Sequence, residues 1–380
     1  MKSIDPLSEI NTSRILRLVW QKKGISRVEI ANTLNLDKST VTKIVSSLND
    51  IGIINEIAQG ETGPQGGRKP IYLEIASNFA CVGGIEINPE RFVCCLLDLQ
   101  GNILFQHQEM ITPENFAELQ VEGIFEKAYN LIFSESKKLN IKMICLGVGF
   151  PAPVNSDKGY IVSSVPLMIN SQYQFVSEIK KYTNLPVIIE NDARCCCYGE
   201  LTCQSSDFVK NSVFVLLEHR LLQPKSKSRK NLSVGLGIIM DGKIVKGPEC
   251  SAGEFRSILW EQGNNGQFLS TDEELNSDSL FLELAQHIAF LVNTLNLQSV
   301  IIGGIDKSYI KRISKLIEER INLQWPYTKK ENVLIQASSF DYLAVAYGAA
   351  AMYINQLFSL PSLSNPMEKK ITIANYISEI

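Results

Sequence analysis

The sequence predicts an α/β protein in which a small helical domain with a wing precedes a larger body of two similar halves. Three observations support this prediction. Helical patterns occupy the chain up to Gly52, and a hairpin pattern with a glycine-rich tip follows them. Beyond residue 76, strand patterns alternate with helical patterns, and the alternation starts again near Val213. The chain has 380 residues, which at roughly 100 to 200 residues per domain allows two or three domains.

The composition excludes several classes of protein. The chain carries 37 Lys and Arg against 40 Asp and Glu, so it has no overall basic field and any contact with DNA must be local. A hydrophobic content of 45% and a charged content of 20% are typical of folded domains. We find no run of about 18 apolar residues and no export signal, and we expect no membrane partner.

The nine cysteines predict a reducing, cytoplasmic environment. Cys94–Cys95 and Cys195–Cys197 are runs in apolar surroundings, without the spacing of a disulfide framework or a metal clip. Because a buried cysteine packs as a small hydrophobic residue, we interpret the triple run as part of the core rather than as a metal or redox site.

The N-terminal domain begins with two short helices. The first spans Ser8 to Gln21, has one apolar stripe and ends before Gly24. Ser26 and Glu29 have the spacing of a capping box, which predicts a second helix to about Leu34.

A third helix and a hairpin complete this domain. Asp37 is predicted to cap the helix, and strands are predicted at Ile53 to Ile57 and at Ile71 to Ile75. Short polar and basic side chains occupy the exposed N-terminal half of the third helix: Lys38, Ser39, Thr40, Thr42 and Lys43.

This order of elements predicts a winged helix-turn-helix whose third helix enters the major groove of DNA. We predict further DNA contacts from Arg27 and from the wing tip at Gly66, Gly67, Arg68 and Lys69, with Arg68 in the minor groove. The alternative is a helical adaptor or dimerisation module, since the net charge of residues 1–75 is small.

The body contains two rounds of strands and helices. In the first round, strands are predicted at Val82–Ile87, Phe92–Leu97, Ile103–Gln108, Met143–Phe150 and Val187–Glu190, and helices at Phe116–Lys138 and Ser177–Tyr182. In the second, strands are predicted at Val213–Leu217, Leu236–Met240, Ser299–Ile302 and Val333–Gln336, and helices at Ser279–Leu295, Tyr309–Asn322 and Tyr342–Gln356. The repetition predicts two lobes around a cleft.

Ordered motifs in the body resemble those of the ROK family of repressors, open reading frames and sugar kinases. They are Gly147-Val148-Gly149-Phe150-Pro151, Glu190-Asn191-Asp192-Ala193, Ser251-Ala252-Gly253-Glu254, Ile301-Ile302-Gly303-Gly304 and Tyr347-Gly348-Ala349-Ala350. The segments Ser26-Arg27-Val28-Glu29 and Gly66-Gly67-Arg68-Lys69-Pro70 resemble the DNA-binding half of ROK repressors, which the free-standing kinases lack.

The resemblance implies an actin-like, ribonuclease-H-type ATPase fold and a homodimer or homotetramer. We expect a DNA-binding domain at residues 1–76, a first lobe at 77–192 completed by about 358–380, and a second lobe at 193–357. Asp192 matches the base of the family kinases, while Asn191 and Glu254 match residues that bind sugar hydroxyls. The expected effector site comprises Asn191, Asp192, Glu254, Gly149 and Pro151.

Departures from the kinase pattern predict that the chain is not an enzyme and needs no cofactor. No glycine pair follows Glu86, Pro89 removes an amide donor, and Glu90 places a negative charge where phosphate is expected. Glu218 and His219 occupy the second phosphate segment, before a basic stretch to Lys230 that is either a solvated loop or an anion contact.

The metal site of the family is also missing from the sequence. Ser257 replaces a zinc-binding histidine and no cysteine follows it, so we expect no metal. We expect His107, His219 and His287 to be ordinary structural residues.

We therefore expect a repressor that binds operator DNA and responds to a sugar or sugar derivative in the cleft. The alternatives are a kinase that phosphorylates a hexose with ATP and a regulator controlled by a partner protein instead of a sugar.

Overall fold

A computed structural model of the chain describes residues 6–59, 71–204, 207–221, 230–263, 266–269, 278–327, 332–360 and 372–378. Its N-terminal part, which we call the head, is a winged helix-turn-helix. The head contains α1 (Pro6–Gln21), β1 (Ile25–Ser26), α2 (Arg27–Leu34), α3 (Lys38–Ile51), β2 (Ile54–Gln59) and β3 (Ile71–Ile75). The three strands form an antiparallel sheet in the order β1-β3-β2.

Local hydrogen bonds explain where α2 begins. The Glu29 amide donates to Ser26 Oγ at 3.3 Å, and the Ser26 amide donates to Glu29 Oε2 at 2.8 Å, which confirms the predicted capping box. The prediction for Asp37 was wrong in part. Asp37 stands directly before α3, but its exposed side chain makes no capping hydrogen bond, because a carboxylate in solvent can be hydrated instead.

The body contains two five-stranded sheets with the same topology. The first contains β4 (Cys81–Asn88), β5 (Arg91–Asp98), β6 (Ile103–Met110), β7 (Met143–Phe150) and, after the small hairpin β8 (Val154–Asn155) and β9 (Tyr160–Ile161), β10 (Val187–Asn191). The second contains β11 (Ser212–Leu221), β12 (Lys230–Met240), β13 (Lys243–Ile244), β14 (Ser299–Gly303) and β15 (Leu334–Ala337). Their orders are β10-β7-β4-β5-β6 and β15-β14-β11-β12-β13.

In each sheet three strands form an antiparallel meander and two later strands add in parallel. This shared order confirms the prediction of two rounds of similar design.

Helices form three layers around the two sheets. They are α4 (Pro113–Lys138), α5 (Phe175–Glu178), α6 (Asp192–Cys203), α7 (Asp278–Leu295), α8 (Lys307–Gln324), α9 (Ala344–Leu357) and α10 (Ile373–Ser378). The first sheet packs its outer face on α4 and α5, and we call this unit the first lobe. The second sheet packs on α7 and α8 and forms the second lobe, while α6 and α9 lie between the sheets. None of the described helices is long and apolar enough to cross a membrane.

Several elements differ from the sequence prediction. The helix expected at Ser177–Tyr182 is α5 followed by a 3₁₀ turn at Ile179–Lys181, and β11 and β12 extend into the stretch predicted as a loop. The sequence analysis missed α6 entirely. This helix is buried on nearly all sides, so it lacks the polar face that gives a surface helix its periodic pattern.

Very close packing holds the central layer against its neighbours. A Cβ atom on Gly84 would lie 2.0 Å from the Ala346 carbonyl oxygen, and one on Gly147 would lie 1.9 Å from that of Ala349. A Cβ on Gly348 would lie 1.8 Å from the Cys195 carbonyl oxygen. The backbones of α9, α6 and the first sheet therefore touch directly. Cys195, Cys196 and Cys197 are free and buried there, as predicted.

The head shares one hydrophobic core with the first lobe. Trp20 of α1 stacks on Phe358, which directly follows α9, with ring centroids 5.0 Å apart and planes 5° apart. The same cluster contains Ile15 and Val45 of the head, Leu97 of the first sheet and Ile373 of α10. The head is thus packed against the first lobe and is not attached through a linker alone.

We predict that Phe358→Ala destabilises the head and the first lobe together. Phe358 is 2% exposed, and removing a buried aromatic ring costs about 3–5 kcal/mol of unfolding free energy. Chemical denaturation followed by Trp fluorescence would measure the loss, since Trp20 reports on this contact. Phe290→Ala on the exposed face of α7 is the control, and equal losses in both variants would contradict the shared core.

Candidate functional site

The residues expected to bind an effector meet where β10 ends and α6 begins. Asn191 caps α6, because its Oδ1 accepts a hydrogen bond from the Arg194 amide at 3.1 Å. Its Nδ2 donates to the Ala152 carbonyl at 3.3 Å, so it also ties α6 to the end of β7. The Asp192 carboxylate accepts from the Ala193 amide at 2.7 Å and is 6% exposed.

A buried ion cluster supports this helix start. Glu190 is 0% exposed, and its two oxygens bind Arg194 Nε at 2.8 Å and Lys246 Nζ at 2.7 Å. Ser156 also donates to Glu190, at 3.0 Å. Burial raises the pKa of Glu190, but the charges of Arg194 and Lys246 lower it by more, so this pKa lies below its ordinary value. Glu190 is therefore an anion that positions its neighbours.

Glu254 reaches the same place from the second lobe. Its backbone pairs with Gly235 of β12, and a Cβ on Gly235 would lie 3.6 Å from Asp192 Oδ1. Pro151 is buried next to Ala152, at the end of β7. The structure thus brings Asn191, Asp192, Pro151 and Glu254 into one region between the lobes.

Gly149, the fifth predicted residue of the effector site, lies deeper in the molecule. It is buried inside β7, and a Cβ there would lie 2.5 Å from Val345 and 3.1 Å from Cys195 Sγ. Helix packing explains the need for glycine at this position.

The two segments that match the phosphate turns of family kinases contact each other. Arg91 Nη2 lies 2.7 Å from Glu86 Oε1 and 2.7 Å from Glu218 Oε1, and Asn88 Nδ2 lies 3.2 Å from Glu218 Oε2. Glu90 lies at the turn between β4 and β5, where its amide donates to Asn88 Oδ1, and Glu86 and Glu218 supply the two carboxylates that contact Arg91.

This cluster contains two carboxylates for one guanidinium. Burial raises the pKa of Glu86 to about 7; Arg91 opposes this shift, and the nearby Glu218 and Asp192 carboxylates add to it. Glu86 Oε2 is buried and has no hydrogen-bond partner among the described residues. Protonation of the Glu86 carboxylate near pH 7 therefore reduces the net negative charge of the cluster.

In the segment after Glu254, Ser257 stands where the family pattern has a zinc-binding histidine. Ser257 is buried and its Oγ lies 3.0 Å from Nε2 of His287 on α7. Burial lowers the pKa of His287, which favours a neutral ring. Within the described part of the chain, no cluster of His, Cys, Asp and Glu could hold a metal ion.

The predicted DNA-contacting face of α3 is open to solvent. Lys38, Ser39, Thr42 and Lys43 are exposed and Thr40 is half-buried. The opposite side of the helix buries Val41, Val45 and Leu48 in the head core, so the polar face is directed outward.

The other predicted DNA contacts lie around the wing. Arg27 pairs with Glu56 of β2 at 2.8 Å, which joins α2 to the wing strand. Gly66, Gly67, Arg68 and Lys69 lie outside the described residues, as does most of the basic stretch before Lys230.

Sequence patterns assigned no role to Arg91, Arg194 or Lys246. The i, i+4 spacing of Glu190 and Arg194 is a signal that could have indicated their pairing on a helix. No comparable signal exists for the pairing of Arg91 with Glu218 or of Lys246 with Glu190, because these partners lie far apart in the sequence.

Comparison with family models identifies two regions. Residues 82–267 match the model described as the ROK family, and residues 9–55 match the model described as winged helix-turn-helix DNA-binding.

Curated relatives are similar over nearly the whole chain. The xylose repressor of Caldicellulosiruptor bescii is 24% identical, with 93% of this chain and 98% of the relative covered. The DNA-binding transcriptional dual regulator NagC of Escherichia coli strain K12 is 23% identical over 92% of this chain and 93% of the relative.

Solved structures show the same fold. A ROK family transcriptional regulator described as a homologue of the Escherichia coli MLC protein has a TM-score of 0.69 at 22% identity, covering 93% of this chain and 97% of its own. A ROK family glucokinase from Streptomyces griseus, in complex with glucose and AMPPNP, has a TM-score of 0.53 at 17% identity, covering 72% and 99%. The kinase structure therefore leaves part of this chain uncovered.

We predict that Glu86→Gln flattens the pH dependence of stability. The folded-state pKa of Glu86 is about 7, above the ordinary 4.5, so the folded chain binds the proton more tightly than the unfolded chain. The free energy of unfolding should therefore fall as pH rises from about 4.5 to about 7, and glutamine removes this titration.

Urea denaturation at about pH 5 and about pH 7.5 would measure the difference, with Glu135→Gln on the surface of α4 as the control. The same loss of stability with pH in the Glu86→Gln variant and in the unmodified chain would contradict the prediction.

Proposed function

Because the chain belongs to the ROK family and carries a winged helix-turn-helix at its N-terminus, we propose that it is a DNA-binding transcriptional repressor of carbohydrate-metabolism genes. The observation that carries this proposal is the combination of a DNA-binding head with a body of the sugar-kinase fold. Relatives named as a xylose repressor and as NagC share both parts over most of their length. Because the proposed partner is operator DNA, we infer that the protein acts in the cytoplasm.

Two elements of the head are suited to contact DNA. The exposed Lys38, Ser39, Thr42 and Lys43 can reach base edges and phosphates from α3. The sequence between β2 and β3 includes Arg68 and Lys69; we propose that both contact DNA and that Arg68 enters the minor groove. A homodimer would place two heads on half-sites about 34–36 Å apart, or a multiple of that spacing.

We propose that the effector is a sugar or sugar derivative bound between the lobes beside Asp192. Asn191, Asp192 and Glu254 offer amide and carboxylate groups, which are suitable partners for sugar hydroxyls. Residues of both lobes line this region, so a ligand here can favour one lobe arrangement over another.

We also propose that the chain does not act as a kinase. Asp192 would be the base of a kinase, and its position at the start of α6 is the one observation that favours catalysis. The segments that match the phosphate turns oppose it, because Pro89 has no amide hydrogen to donate and Glu218 places a carboxylate where a nucleoside triphosphate would need a donor. These departures favour a regulator over an enzyme.

We predict tight, salt-sensitive binding of the chain to the DNA upstream of its own gene. Arg68→Ala should weaken it by roughly 5- to 100-fold, since a minor-groove arginine contributes about 1–3 kcal/mol. Lys43→Ala should weaken it through loss of a phosphate or base contact and should also change the salt slope. Fluorescence anisotropy with labelled DNA would measure both, and Lys315→Ala on the exposed face of α8 is the control.

The same titration would test the effector when repeated with monosaccharides, including xylose and N-acetylglucosamine. One sugar should shift the DNA affinity, and Asp192→Asn should abolish that shift while leaving sugar-free DNA binding intact. Absence of specific DNA binding under all conditions would overturn the repressor proposal, and phosphorylation of a sugar by ATP would overturn its non-enzymatic part.

A further inference from the structure

An ion bridge connects the two lobes close to the proposed effector site. Arg91 begins β5 in the first sheet, and its Nη2 contacts Glu86 of the same sheet and Glu218 of β11 in the second sheet, both at 2.7 Å. Asn88 adds a second link to Glu218 from the turn between β4 and β5. The tip of one hairpin in the first lobe is thus bound to a strand of the second lobe.

This bridge is shielded from water. The Glu86 and Glu218 side chains are 2% and 4% exposed, and that of Arg91 is 22% exposed. Removing one partner of such a buried ion pair is unfavourable, because it leaves buried charge without compensation. Opening the lobes at this point must break the contacts of Glu218 with Arg91 and Asn88.

A second interlobe contact involves Glu190, which precedes Asp192 by two residues. Lys246, which follows β13 of the second sheet, binds Glu190 and lies 3.3 Å from Ser156, and both of these residues belong to the first lobe. Asp192 is two residues from Glu190, and its charge also acts on Glu86. Asp192 therefore lies near two interlobe ion pairs, and both pairs require the lobes to be close.

We propose that Arg91 is a positioning residue that latches the two lobes together through Glu218, and that this latch is coupled to the effector beside Asp192. This inference rests on the proposed function only for its coupling to a sugar. The latch itself follows from the contacts of Arg91.

Two changes shift the equilibrium between the closed and the separated arrangement of the lobes. Breaking the bridge favours separation of the β4–β5 turn from β11. A ligand that contacts groups of both lobes favours the closed arrangement, so its affinity should fall when the latch is removed.

Hydrogen exchange measured by mass spectrometry on the full chain tests the latch without operator or sugar. Arg91→Ala should raise the exchange rates of amides in the β4–β5 turn and in the middle of β11 by roughly tenfold, because a charged hydrogen bond is lost at that contact. Glu218→Gln, which keeps the shape of the side chain, should raise the same rates by a smaller factor and serves if Arg91→Ala does not fold. Lys181→Ala is the control, since it breaks the Lys181–Glu122 ion pair within the first lobe.

Unchanged amide exchange rates in β11 in both the Arg91 and the Glu218 variant would overturn the proposal of a latch. A second measurement addresses coupling: the sugar that shifts operator binding should bind the Arg91→Ala variant more weakly than it binds the unmodified chain. Increased exchange without any operator binding would support the latch and reject the repressor function. Increased exchange with unchanged sugar affinity would reject the coupling.

Discussion

The contact of α9 with the backbones on either side of it determines how the rest of this molecule is arranged. Gly84 and Gly147 allow α9 to lie directly on the first sheet, and Gly348 allows α9 to lie directly on α6. No side chain larger than hydrogen fits at these positions without a backbone shift, since an added Cβ would lie 2.0 Å or less from a carbonyl oxygen. Because α6 in turn packs on β11 and β12, this contact holds both sheets at a short distance.

The same helix connects the cleft to the head. At its start, α9 packs near Gly149 and α6, whose first residues are Asp192 and Ala193. At its end, Leu357 and Phe358 enter the hydrophobic core that contains α1 and Trp20. A change in the interlobe angle therefore moves the second lobe relative to a unit made of the first lobe, α9 and the head. In a dimer, such a movement would change the spacing of the two heads.

Much of this fold could be predicted from sequence patterns, and the exceptions have physical reasons. Helices with one buried face, such as α7 and α8, were found because their apolar residues recur with helical period. Helix α6 was missed because Cys195, Cys196 and Cys197 are buried together with the charged Arg194 and Glu200, which leaves no polar face.

The candidate site was predicted in part for similar reasons. Asn191, Asp192 and Glu254 were identified through the family resemblance. The bridge from Arg91 to Glu218 joins residues 127 positions apart, and local patterns contain no information about such a pair.

The most direct test of this account is a pair of distance measurements by electron spin resonance on a chain that carries labels in the head, the first lobe and the second lobe. Labels at Asn49, Lys138 and Lys315 would be exposed, and dilution with unlabelled chain would restrict the distances to one protomer. The account predicts that the effector sugar changes the distance from Lys138 to Lys315 and leaves the distance from Asn49 to Lys138 unchanged. A change in the distance from the head to the first lobe, with the two lobes fixed, would contradict it.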